Sequence, residues 1–270
     1  MRCPRAEDPA LMRINYAAKT DVGMKRDNNE DNLLVFPEQN VFAVFDGMGG
    51  HAAGEVASAI AVNEVKEFFN FTGKDEDATW PFKADREKSY DENRAITAIK
   101  LANQRIIEQS EQDGAKKNMG TTAVMVHFVE RNGAGAKALI AHVGDSRVYL
   151  FRDGRLQRVT IDHSLVEEYL RLGKITAEEA KTFPQKNIIL RALGQQKIVD
   201  VELNAFQPQA GDIFMLCSDG LSGMVSDEMM QAILQKTSGL DAAAKKLIDT
   251  ANANGGIDNV TVILAQFVQT

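Results

Sequence analysis

The chain has little of what several large functional classes require. Its 270 residues include two cysteines, Cys3 near the start and Cys217 inside an apolar run, too few for a disulfide framework or a cysteine zinc site. Cytoplasm is the expected compartment. Positive charge is not in excess: the formal net charge is −7. Such a surface repels phosphate except where arginines or cations are placed deliberately, so nucleic acid is not expected as the main partner and any phosphate should be bound locally. No apolar run approaches membrane-spanning length, and Met1 to Pro9 lacks an apolar core, so neither membrane nor signal peptide is expected. No repeat or low-complexity segment stands out.

What is present is an ordinary globular composition, 44% hydrophobic and 26% charged, long enough to bury a substantial core. Within it, Val41-Phe42-Ala43-Val44-Phe45 reads as a short strand buried on both faces that delivers Asp46 and the glycine-rich loop Gly47-Met48-Gly49-Gly50-His51. One Asp-Gly pair is by itself a turn signal. The pattern recurs, however: Ala138 to Gly144 leads to Asp145, Ile213 to Ser218 leads to Asp219, and Asp258-Asn259 precedes the strand Val260 to Leu264. A buried unpaired carboxylate is costly, so acids at four core strand ends call for a cation if those ends share one edge. Oxygen donors alone suit Mg²⁺ or Mn²⁺.

Along the chain, residues 1–12 read as a loose extension and residues 13–270 as one domain. Ile14 to Lys19 is a candidate strand. The following loop is dense in acids, including Glu30 and Asp31, and holds Arg26, whose fork could bond two phosphate oxygens. Helices are expected from about Ala53 to Phe69 and, behind the capping box Ser89–Glu92, to about Gln109. Strands follow at Thr121 to Val129 and Ala138 to Val143, then a hairpin across Arg152-Asp153-Gly154-Arg155. His127 and His142 read as sheet residues, since no Cys or His stands at ligand spacing from them. Residues 162–193 break the strand pattern with small capped helices, and fit a lid and a surface elaboration equally. Helices from Ser226 to Gln235 and Leu240 to Ala253 complete the pattern.

Six motifs stand in order: Gly23-x-x-Arg26-x-x-Asn29-Glu30-Asp31, Phe45-Asp46-Gly47-Met48-Gly49-Gly50, Met119-Gly120-Thr121-Thr122, Gly144-Asp145-Ser146-Arg147, Cys217-Ser218-Asp219-Gly220 and Asp258-Asn259. In this order and spacing the chain resembles the metal-dependent protein phosphatases, PPM, also called protein phosphatase 2C, in their bacterial branch. The resemblance implies an α+β fold, a four-layer α-β-β-α sandwich of two antiparallel sheets with helices on the outer faces, and makes 162–193 the segment called the flap. It implies two core Mg²⁺ or Mn²⁺ ions, bridged by Asp46 with the Gly47 carbonyl beside it. Asp219 and Asp258 would hold the first ion, Asp31 would reach the second through water, and Asp145 would help hold a third. Glu30 and Asn259 would support the ligands and Arg26 would take the phosphate. The implied reaction is hydrolysis of phosphoserine and phosphothreonine by direct attack of a metal-bridging water.

The implied substrates are phosphorylated proteins, among them a Ser/Thr kinase and its targets, acted on by a monomer. A non-catalytic phosphoprotein-binding relative and a hydrolase of small phosphoesters are the alternatives. Met48 departs from eukaryotic relatives, which often place a histidine there as leaving-group acid. A metal-bound water or solvent is therefore expected to supply the proton, with His51 a loop or helix-start residue.

Overall fold

The computed structural model describes residues 12–49, 53–74, 79–112, 118–131, 135–185 and 188–268. Residues 1–11, Gly50 and His51 lie outside these, and with them the extension (Met12 apart) and the His51 expectation. Among the described residues, eleven strands come in groups separated by helices. β1 (Arg13–Asp21), β2 (Asp31–Phe36) and β3 (Val41–Met48) come first, then α1 (Ala53–Lys74) and α2 (Tyr90–Gln112). β4 (Gly120–Thr121), β5 (Ala123–Arg131), β6 (Gly135–Val143), β7 (Arg147–Arg152) and β8 (Arg155–Arg158) follow, with α3 (Leu165–Arg171) and α4 (Ala177–Lys181) after them. β9 (Glu202–Phe206), β10 (Ile213–Cys217), α5 (Asp219–Ser222), α6 (Asp227–Lys236), α7 (Leu240–Ala253) and β11 (Val260–Val268) complete the order.

The strands form two antiparallel sheets, one in the order β1-β11-β10-β7-β8 and the other β2-β3-β5-β6-β9 with β4 paired to β3. Side-chain alternation along each strand assembles the layers. On β3, Phe42 and Val44 join Phe128, Ile140, Phe214, Leu216 and Ile263 between the sheets. Val41, Ala43 and Phe45 point the other way and pack with Val65, Phe69 and Ile99 of α1 and α2. Likewise Met215, Cys217, Val262 and Leu264 meet Leu234, Leu247 and Ile248 of α6 and α7. The result is the expected α-β-β-α sandwich. β3 is buried on both faces, as its unbroken apolar run requires.

The capping boxes at Ser89–Glu92 and Thr176–Glu179 both form, each side chain bonding the other's backbone N–H. The 152–155 hairpin closes with Asp153 and Gly154 at φ of 50° and 75°, the left-handed geometry that a tight turn of right-twisted strands needs. Three features differ from the sequence reading. The strand expected from Thr121 to Val129 is broken at Thr122 into β4 and β5, because the Thr122 side chain is taken by Asp46. Asp219 does not end a bare strand but opens the short helix α5. β9 carries too little apolar alternation to have been recognised.

Phe42 is fully buried and meets Phe128 edge-on at 6.1 Å between ring centres. Phe42→Ala should cost about 3–5 kcal/mol of stability, read as a lower urea midpoint with an unchanged slope.

Candidate metal centre

The acids expected to converge do so. Asp31 and Asp46 are direct cross-strand partners on β2 and β3, and the carboxyl of Asp46 also faces Asp219, Asp145 and Asp258. Backbone and hydroxyl contacts hold Asp46 and Asp31 in place. The Asp46 N–H donates to Thr122 Oγ1 at 3.0 Å, while its carbonyl accepts from the Thr122 N–H at 2.8 Å and from Thr121 Oγ1 at 2.9 Å. Thr122 Oγ1 in turn lies 2.7 Å from Ser146 Oγ, beside Asp145. The Met119-Gly120-Thr121-Thr122 motif is thus a bracket for Asp46.

Ser218 does the same for Asp31, donating from Oγ to Oδ2 at 2.7 Å while accepting from the Thr261 N–H. Asn259 is a strut. Its Oδ1 accepts from the Glu30 N–H at 2.8 Å and its Nδ2 donates to the carbonyls of Val22 and Asn28, both at 2.9 Å, so it shapes the loop that carries Arg26. Gly47 admits no side chain: a Cβ there would lie 2.3 Å from the Gly54 carbonyl oxygen and 2.4 Å from that of Glu30. The Glu30 carboxylate itself packs against Gly54 at the start of α1.

Crowding of like charge away from water shows in the acids themselves. Burial pushes Asp31 up to about 6 and Asp145 up to about 7, with Asp219 adding to both. Burial, then repulsion from Asp31, Asp219, Asp145 and Asp258, raises Asp46 well above the ordinary carboxylate range. Asp219 is raised by burial and Asp258, partly offset by a hydrogen bond with Asp46. Glu30 is raised mainly by burial, against the pull of Arg26. Two buried oxygens, Asp31 Oδ1 and Asp145 Oδ1, have no hydrogen-bond partner. An all-oxygen donor set, held apart by repulsion and with unsatisfied lone pairs, fits a hard divalent cation.

Arg26 is the positive group at the mouth. Its Nη2 donates to Asp258 Oδ2 at 2.8 Å, and the side chain is half-exposed. The sequence reading assigned Arg26 to phosphate; here it rests on one of the acids. A half-exposed ion pair of this kind is weak enough to exchange partners.

Residues 162–193 are fastened to the strand ends that carry the acids. Arg147 binds Asp162 through Nε and Nη2, the shortest contact being 2.6 Å. At the far end Thr121 and Leu193 exchange two backbone hydrogen bonds, at 3.1 and 2.9 Å. Between this segment and β3, Met48, Ile189, Leu190, Ala192, Gln195 and Gln196 line a cavity of about 370 Å³. Met48 itself is half-buried. Sequence reasoning missed the roles of Thr121, Thr122, Ser146, Ser218 and Arg147, although all stand inside the motifs. Their type was visible, but which acid each would reach depends on pairing between distant strands.

The chain belongs to the protein phosphatase 2C family, whose model matches residues 24–259. Among curated relatives, the serine/threonine phosphatase stp of Listeria welshimeri is 39% identical over 92% of this chain and 94% of its own length. The crystal structure of the serine/threonine phosphatase PstP/Ppp of Mycobacterium tuberculosis has a TM-score of 0.82 at 35% identity, covering 96% of this chain and 100% of that one. A structure of the PstP catalytic domain in complex with two manganese ions matches with a TM-score of 0.78, also at 35% identity, over 96% of this chain and 100% of that one.

The raised carboxyls make a pH prediction. A group whose folded-state pKa lies above its unfolded value contributes stability that is full below the unfolded value and is lost as pH rises through the folded one. For Asp31 and Asp145 that window runs from about 3.8 to about 6 and about 7. Burial of His142 and His163 lowers their pKa values and acts oppositely as pH falls. The test is therefore a difference. Between about pH 5 and about pH 8, metal-free wild type should lose more melting temperature than metal-free Asp46→Asn, because the variant removes one charge from the cluster. Parallel melting curves for the two proteins would contradict this.

Proposed function

We infer that the chain is a Mg²⁺- or Mn²⁺-dependent phosphatase that hydrolyses phosphoserine and phosphothreonine in proteins. The observation that supports this most is the convergence of Asp31, Asp46, Asp145, Asp219 and Asp258, two of them with unsatisfied buried oxygens, beneath a half-exposed arginine. In this reading Asp46, with the Gly47 carbonyl beside it, and Asp31, Asp219 and Asp258 would hold two ions, and Asp145 would help hold a further one. When bound, the ions supply an acidified water nucleophile and neutralise phosphate charge.

The side chains then have distinct tasks. Thr121, Thr122 and Ser218 hold Asp46 and Asp31 against their mutual repulsion, and Asn259 and Glu30 set the Arg26 loop. Arg26 moves its fork from Asp258 to the incoming phosphoryl group, binding it in both ground and transition states. Met48 has no proton to give, so the leaving oxygen takes one from water. The cavity beside Met48 receives the residues that flank the phosphorylated one. Substrates on this reading are the products of a cytoplasmic Ser/Thr kinase, and the enzyme works as a monomer. No helix among the described residues is long and apolar enough to cross a membrane.

Phosphopeptide hydrolysis with Mn²⁺, abolished by EDTA, is the direct test. Turnover of an aryl phosphate alone would favour a small-phosphoester hydrolase, and failure on both would favour a non-catalytic binding protein. Asp46→Asn and Asp219→Asn should each lower kcat by more than about 100-fold, with circular dichroism and cooperative unfolding retained.

Arg26→Ala should raise KM for the phosphopeptide roughly 10- to 100-fold, the scale of a hydrogen bond to a charged group, with a smaller loss in kcat. Arg26→Lys should recover part of it. An unchanged KM in the alanine variant would remove Arg26 from the phosphate site.

A further inference from the structure

The histidines His142 and His163 are not accounted for by the metal centre. Their rings stack at 4.7 Å between centroids, and with Glu202 they place three ligand-type atoms within 4.8 Å of one another. Sequence spacing hid this group, since the three residues come from β6, the foot of the 162–193 segment and β9. The hydrogen bonds decide what it does. His163 Nδ1 accepts the Gly144 N–H at 3.1 Å, so the ring proton sits on Nε2, which faces Glu202 Oε2 at 3.4 Å. A metal on Nε2 would drive that proton to Nδ1, against the Gly144 N–H. His163 and Glu202 are therefore joined by a proton and not by an ion, while His142 stacks on the His163 ring and bonds the Ile161 carbonyl through Nε2 at 2.9 Å.

The consequence lies one residue along the chain. Gly144 immediately precedes Asp145 and has φ of 110°, while a Cβ on it would meet Thr122 at 2.7 Å, so the turn is shaped around a bare backbone. His163 grips that backbone twice: its ring accepts the Gly144 N–H, and its own N–H donates to the Gly144 carbonyl at 2.9 Å. The His163 carbonyl then accepts the Leu190 N–H at 2.7 Å, from the segment that lines the cavity beside Met48. Burial lowers the pKa of His163, so the ring remains a neutral acceptor near pH 7.

We propose that His163 is a positioning residue whose ring fixes the Gly144–Asp145 turn and whose backbone ties that turn to Leu190, so that the placement of Asp145 depends on one side chain and is linked through the same residue to the wall of the cavity beside Met48. This rests on the reading of Asp145 as a functional acid. Glu202 acts through His163 by holding the proton on Nε2.

The test pairs His163→Leu, which fills the space without an acceptor, with His163→Asn, whose Oδ1 can replace Nδ1. In the metal-free protein, Gly144 amide exchange should quicken at least about fivefold in His163→Leu, the scale of one lost buried hydrogen bond, and return toward wild type in His163→Asn. Phosphopeptide kcat should fall by a similar factor in His163→Leu, and the substitution should cost nothing further in an Asp145→Ala background. Imidazole ¹⁵N shifts of wild type should show the Nε2–H form. Unchanged Gly144 exchange, a fully additive loss with Asp145→Ala, or an Nδ1–H ring in wild type would each overturn the proposal. If Asp145→Ala is itself fully active, the reading of Asp145 fails, and the exchange result still decides whether His163 holds the turn.

Discussion

Mutual repulsion among carboxylates drawn away from water, Asp31 and Asp145 buried and Asp46, Asp219 and Asp258 half-buried, is the constraint on which the rest of this structure depends. Asp31, Asp46, Asp145 and Asp219 each have a raised pKa, and burial is the leading cause in every case. An apolar core alone would expel such a group or protonate it. Here the backbone forbids retreat: Asp46 is bonded through both its N–H and its carbonyl to Thr121 and Thr122. The sandwich stores unfavourable electrostatics of the kind that a divalent cation would relieve.

That storage explains why the fold devotes strand ends to the site. Strands buried on both faces, such as β3 and β10, are the stiffest elements available, and an acid just past their last core residue cannot swing away. The support is made of small hydroxyl residues rather than charges. A lysine in place of Ser218 or Thr122 would satisfy the acids directly and compete with the metal, whereas a hydroxyl orients a carboxylate and leaves its charge intact. Two arginines are the exceptions: Arg147, held on Asp162, draws Asp145 and Asp219 down from the side, and Arg26 stands at the exposed rim where it can exchange partners.

Much of this was legible in the residues. The unbroken run Val41 to Phe45 announced a strand buried on both faces, and the repeated ending of apolar runs in an acid announced the cluster of acids. The capping box at Ser89 marked a helix start because its signal is local, its two partners three positions apart. What could not be read was whatever depends on distant partners. Ser218 reaches Asp31 across 187 positions and Asn259 reaches Glu30 across 229. The same limit hid His142, His163 and Glu202: the pairing of β6 with β9 sets His142 opposite Glu202, and the bonds of His163 to Gly144 bring it to both. Arg26 resting on Asp258 was hidden for a different reason, since an arginine among acids has several possible partners and spacing does not choose between them.

Calorimetric titration of the metal-free protein with Mn²⁺ near pH 6.5, in buffers of differing ionisation enthalpy, tests the central claim most directly. Cation binding at carboxyls raised into this range must expel their protons, so the apparent heat should vary with the buffer and report net proton release. The share released by Asp31 and Asp145 should shrink as pH rises above about 7, where these two are already ionised. Tight binding with a heat independent of buffer at both pH values would show that the acids are ordinary carboxylates, and that the repulsion ascribed to this centre does not exist.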